Sequence, residues 1–150
     1  MITDALIRDL PKTDLHVHLD GSLRIPTLIE MARDQGVELP STTEEGLRET
    51  VFKPSYDSLV DYLAGFEFTV AALQTAEALE RAAYELAQDN IDEGVRYIEV
   101  RFAPQLHMHS GLSFDDVLRS VTRGMDRARA EHEASDAVAV QGEPPFRFGI

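Results

Sequence analysis

An α/β fold carried on a parallel sheet is expected of this 150-residue chain. Three observations point to it. Residues 14–20 alternate polar and apolar with the period of two that marks a strand. Residues 95–102 are rich in β-branched and aromatic side chains and close on Pro104. Segments of helical periodicity lie between and after them, with no hairpin turn joining the two, which argues for βαβ units.

In chain order, residues 4–10 suit a short opening helix, followed by the strand at 14–20. Pro26 fits the first turn of a helix that carries Leu28, Ile29, Ala32 and Val37 around the Gly36 stop. Residues 37–57 hold Pro40, Gly46 and Pro54 and read as an irregular excursion with one helical turn near 44–49. A helix over 56–72 presents Leu59, Leu63, Phe66 and Val70 at three- and four-residue spacing. The next helix has Thr75 as its N-cap and Gly94 as its stop, with Leu79, Ala82, Ala83, Leu86 and Ile91 on one stripe. After the strand at 95–102, a helix opens at Ser113 with Asp116 in a capping-box position and runs to about Glu133. Residues 134–145 are expected as a loop or hairpin, and a third strand begins at 146–150.

Composition narrows the chemistry. With 43% hydrophobic and 27% charged residues, the chain reads as one soluble domain over 1–150. No run approaches the roughly 20 apolar residues of a membrane helix. The N-terminal dozen residues mix Asp4, Arg8 and Asp9 among apolar ones, unlike a signal peptide, so a cytoplasmic location is expected. No cysteine is present, which removes disulfides, thiolate metal sites and Cys nucleophiles together. A metal must then be held by imidazole and carboxylate, a ligand set that suits zinc and some other divalent ions and in zinc enzymes is more typical of catalytic than of structural sites. The net charge of −13 and the lack of a Lys/Arg cluster disfavour nucleic acid and favour a neutral or cationic small molecule. Asp20-Gly21-Ser22-Leu23 is neither a dinucleotide fingerprint nor a P-loop.

The stretch Thr13-Asp14-Leu15-His16-Val17-His18-Leu19-Asp20-Gly21 carries the strongest signal. Strand alternation puts Leu15, Val17 and Leu19 on a packing face and His16, His18 and Asp20 on the other. Two imidazoles two residues apart, roughly 6–7 Å at Cα, can lean onto one divalent cation. His16 and His18 are therefore expected to be metal ligands at the C-terminal end of a buried strand. Three roles are open to Asp20 on this reading: metal ligand, partner of an imidazole, or acceptor for a substrate hydroxyl.

Together with Val95-Arg96-Tyr97-Ile98-Glu99-Val100-Arg101-Phe102-Ala103-Pro104, the stretch Pro11-Lys12-Thr13-Asp14-Leu15-His16-Val17-His18-Leu19-Asp20-Gly21-Ser22 resembles the N-terminal part of the adenosine deaminase family, among the metal-dependent amidohydrolases. The resemblance covers most of residues 10–130. It implies a (β/α)8 TIM barrel with its active site at the C-terminal strand ends, and zinc-dependent hydrolytic deamination of adenosine to inosine and ammonia in purine metabolism. It further implies His16 and His18 as Zn2+ ligands, His18 lying against substrate, and Asp20 bonded to the ribose. Leu59, Tyr62, Leu63 and Phe66 correspond to an apolar helical flap over the nucleoside, although their spacing also suits an ordinary helix core. The family's remaining catalytic groups come from later strands, so no catalytic residue is assigned within this chain. A whole barrel takes about 250 residues, so the expectation is its N-terminal portion, truncated at about the third strand. Exposed sheet edges would then favour self-association.

Other residues carry weaker expectations. His107-Met108-His109 repeats the His-x-His pattern in the loop after the second strand and is expected to be a solvated loop rather than an accessory metal contact. His132, at a charged helix end, is expected at the surface. Glu99 and Arg101 share one strand face, which suggests a structural ion-pair network. Two alternatives to adenosine deamination stand: deamination of adenine or another aminopurine derivative, and a non-catalytic metal- or partner-binding role.

Overall fold

β1 (Lys12–His18), β2 (Val95–Arg101) and β3 (Arg147–Gly149) form one parallel sheet in that order in the computed structural model, which describes residues 2–150 and the side chains of all of these but Arg8 and Asp9. The β1–β2 crossover contains α2 (Ile25–Gln35), α3 (Glu44–Thr50), α4 (Leu59–Ala64), α5 (Phe66–Ala72) and α6 (Ala76–Asp92). That between β2 and β3 contains a 3-10 turn (Pro104–His107), α7 (Phe114–Glu133) and α8 (Asp136–Ala139). A short α1 (Asp4–Asp9) precedes the sheet. The parallel pairing and the strand–helix alternation expected from the sequence are both present. Among the described residues, no helix is long and apolar enough to cross a membrane.

The boundaries follow local chemistry. Pro26 stands in the first turn of α2, and the Thr75 hydroxyl accepts from the Ala78 N–H to start α6. Ser113 and Asp116 close a reciprocal capping box on α7. Gly94 follows α6 with φ 80°, a left-handed backbone that suits glycine and lets the chain reverse into β2.

The core lies between one face of the sheet and the α6–α7 pair. Ile98 and Val100 of β2 are buried there with Leu79, Ala83, Val117, Val121 and Met125. α6 and α7 approach closely at Gly124, where an added Cβ would stand 2.2 Å from the Glu80 carbonyl oxygen. Polar links flank the packing. The Thr27 hydroxyl donates to the buried Glu85 carboxylate at 2.6 Å, and the Arg127 guanidinium stacks 3.6 Å from the Tyr84 ring centroid.

Several expectations are corrected. β1 runs over 12–18 rather than 14–20, and Leu19 and Asp20 fall in the turn after it. Its alternation is interrupted, because Asp14 pairs with Ile98 and Val17 with Val100, so three residues span what β2 covers in two. The Asp14 carboxylate accepts from the His16 N–H at 3.1 Å within this bulge. Leu15 is consequently 56% exposed instead of packed. The helix over 56–72 is broken at Gly65 into α4 and α5, and its first turns are unwound up to Ser58, whose hydroxyl caps α4. Residues 134–145 contain the short α8 rather than a hairpin. His132 is buried, its Nε2 3.3 Å from the Pro144 carbonyl, because the 136–144 segment folds back over the end of α7. Glu99 accepts from the Tyr97 hydroxyl at 3.0 Å, and among the described residues no ion pair joins it to Arg101.

Candidate metal and nucleoside site

The C-terminal end of β1 brings His16 and His18 together. Their ring centroids are 5.3 Å apart with planes tilted by 46°, and both side chains are exposed. The bulge at 15–16 leaves the two rings convergent while Val17 turns to the core between them. The following turn is tightly held. Leu19 N–H donates to the Arg101 carbonyl at 3.0 Å, and the Ser22 hydroxyl donates to the His18 carbonyl at 2.5 Å. That anchoring buries Leu19 completely and Asp20 to 6% exposure.

Asp20 is the unusual group. Its buried Oδ1 has no hydrogen-bond partner among the described residues and lies 3.8 Å from His18 Nδ1. A buried carboxylate oxygen without a donor is costly, so such an atom marks a place where a donor or a cation belongs. Two converging imidazoles next to it suit a divalent ion that takes nitrogen and oxygen ligands. They make up part of such a set only. Among the described residues, no group of three or more His, Asp or Glu side chains is placed to hold a metal ion.

Helices α4 and α5 border the same end of the strand. Phe66, at the start of α5, meets the His18 ring edge-on at 6.4 Å and approaches Gly21, where an added Cβ would stand 3.2 Å from Phe66 Cζ. Tyr62 packs edge-on against Phe66 at 5.6 Å, and Tyr56 against Tyr62 at 5.2 Å. A cavity of about 90 Å3 opens between these rings and Asp20, floored by Gly21 and Thr69. Of the four flap residues read from the sequence, Tyr62 and Phe66 line this cavity. Leu59 and Leu63 do not: they are 70% and 49% exposed, and no residue of α4 is buried. α4 therefore presents no buried face within this chain.

The second His-x-His departs from expectation at His107 only, since His109 is exposed as expected. His107 is fully buried rather than solvated, its Nδ1 3.0 Å from the Leu73 carbonyl at the end of α5. Burial pushes its pKa down, only partly offset by the Leu73 bond and by Asp20. No periodicity in residues 103–112 signalled this, because the side chain is drawn in by a carbonyl on a distant helix. Gln74 was likewise missed. It is buried, with its amide joined to the loop holding His107.

The sequence model for the family described as adenosine deaminase matches residues 11–140. An adenosine deaminase from Vibrio vulnificus is 48% identical over 126 residues, which is 83% of this chain and 38% of that protein. Among solved structures, a zinc-bound amidohydrolase from Burkholderia ambifaria superposes with a TM-score of 0.71 at 25% identity, covering 87% of this chain and 36% of the other. An Arabidopsis N6-mAMP deaminase gives a TM-score of 0.72 at 26% identity, over 96% of this chain and 41% of its own. The chain thus spans about two fifths of the length of the relatives it matches. Its three-strand sheet corresponds to the N-terminal part of an amidohydrolase TIM barrel.

Proposed function

The chain belongs to the adenosine deaminase family, and from that premise we propose that it carries the first part of a zinc-dependent site for the hydrolytic deamination of adenosine. The observation that supports this most is the convergence of the His16 and His18 rings at 5.3 Å beside the buried Oδ1 of Asp20, which has no hydrogen-bond partner among the described residues. His16 and His18 are the residues that would hold zinc. When bound, zinc supplies the Lewis acidity that makes water a competent nucleophile at neutral pH. Asp20 accepts from a ribose hydroxyl, which gives its buried oxygen the donor it lacks. His18 serves twice, as ligand and as a wall of the nucleoside site. Tyr62 and Phe66 offer ring edges and faces to the purine, and the exposed apolar side chains of Leu59 and Leu63 are those of a cover that gains contacts when a ligand lies beneath it.

A second reading keeps the chemistry and changes the substrate to another aminopurine derivative. It is favoured by the likeness to an N6-mAMP deaminase at 26% identity. Calorimetric titration of the chain with zinc, then with adenosine, adenine and N6-methyl-AMP, tests both readings. Heat from zinc that disappears in H16A and H18A, followed by adenosine binding lost in D20A, is the expected result. Zinc binding that survives both histidine substitutions overturns the site. Preference for adenine or the nucleotide transfers the assignment to the second reading.

A further inference from the structure

We propose that His107 and Gln74 are positioning residues that clasp the C-terminal end of α5 to the turn after β2, and thereby hold Phe66 against His18. The inference rests on reading α4–α5 as the cover of the His16–His18 site.

The clasp has two halves. From the loop, the His107 ring reaches the Leu73 carbonyl at 3.0 Å. A carbonyl only accepts, so Nδ1 carries the proton. From the helix side, Gln74 Nε2 donates to the Val70 carbonyl at 2.8 Å and to the Leu106 carbonyl at 2.9 Å. Its Oε1 accepts the His109 N–H at 3.1 Å. Leu73 is the C-cap residue of α5, and Val70, in the last turn, also accepts the Leu73 N–H at 3.1 Å, so the His107 and Gln74 bonds fall on the carbonyls that end the helix. Both side chains are buried, and the Phe102 ring packs against His107 at 5.7 Å. The arrangement ties the C-terminal end of α5 to the loop after β2. Phe66, at the opposite end of α5, is thereby fixed 6.4 Å from the His18 ring. α4 is held differently: its Asp61 carboxylate accepts from Lys53 Nζ at 2.9 Å, it is joined to α5 through Gly65, and it buries none of its residues. The clasp therefore acts on the α5 half of the cover, the half that carries Phe66.

The test uses the 150-residue chain without metal or nucleoside, so it does not depend on whether zinc or adenosine binds. Amide hydrogen exchange is compared for wild type, H107L and H107N, with the His18 ring resonances followed by NMR. In H107L, amides of Phe66–Ala72 should exchange about tenfold faster, the effect of leaving a buried carbonyl without its donor. The His18 ring resonances should shift as the Phe66 ring withdraws, while α6 and α7 keep wild-type protection. H107N places an amide N–H where the imidazole Nδ1–H stood and should restore both readouts. Unchanged exchange over α5, an equal rise over α6 and α7, or no rescue by H107N would each overturn the proposal. Should H107L fail to fold, Q74M cuts the other half of the clasp and is held to the same outcomes for α5 exchange and the His18 resonances. Failure of the deaminase reading would show instead as absent zinc or nucleoside binding in the wild type.

Discussion

His18 and Phe66 meet edge to face, 6.4 Å between ring centroids and 82° between planes, which joins the C-terminal end of β1 to the start of α5. Their partner His16 completes a pair of imidazoles, but a catalytic zinc normally takes three protein ligands and an open position. The 150-residue chain alone should therefore bind zinc weakly and show no measurable loss of adenosine absorbance. A positioned general acid, worth about 10²–10⁴-fold, is also missing from the assigned residues. Turnover above the uncatalysed rate by the purified chain with added zinc would contradict the assignment of roles.

How much of this was legible beforehand depended on whether the controlling interaction was local. The Thr75 cap, the Ser113–Asp116 box and the Gly94 stop are satisfied within a turn or two of chain, and all three stand where expected. The β1–β2 pairing followed from helical periodicity between two strand patterns. The His16–His18 convergence was legible too, although the Asp14 bulge beside it was not, because a side-chain bond to the His16 N–H removes one residue from the ladder. His107 and His132 were misplaced for a different reason. Each ring is buried by a carbonyl distant in sequence or on a returning segment, Leu73 and Pro144, and neither contact leaves a pattern near the histidine itself.

Gly124 provides a test of the helix pair. Alanine favours an exposed helix interior over glycine by about 1 kcal/mol, so a free surface would be stabilised by G124A. Here the added methyl meets backbone, 2.2 Å from Glu80 O and 2.8 Å from Tyr84 N. Backbone cannot rotate away, so α6 and α7 must separate. G124A should destabilise the chain by about 3 kcal/mol, the upper end of ordinary overpacking costs, read as a lower urea midpoint. An unchanged or higher midpoint would mean that the helices are not in contact at this position.

Asp116 should titrate far below an ordinary carboxyl. Its side chain accepts from the Ser113 hydroxyl, the Arg119 guanidinium and the Ser113 N–H, in that order of effect, which lowers its pKa from 3.8 to about 2. The folded pKa is depressed, so the capping contribution is fully present above the unfolded value and fades as pH falls from about 4 towards 2. A carboxyl resonance of Asp116 with a midpoint near 2, moving up towards 3.8 in S113A, is the expected NMR result. A wild-type midpoint close to 4 would mean the capping box is not formed in solution.

His107 should make the whole chain acid-sensitive well above the carboxylate range. Burial lowers its pKa from 6.5; the Leu73 carbonyl and Asp20 act against that shift, and His109 adds to it. For a base depressed in this way the unfolded chain takes up the proton first. Stability is thus full above about 6.5, and falls as pH drops below it until the folded histidine also protonates. The slope for a single proton cannot exceed about 1.4 kcal/mol per pH unit. H107N keeps the donor to Leu73 but has nothing to titrate, so its urea midpoint should lack this slope between pH 6.5 and the folded pKa, leaving only what other groups contribute. Parallel pH profiles for wild type and H107N would show that the imidazole is solvated, and the clasp on α5 would fall with it.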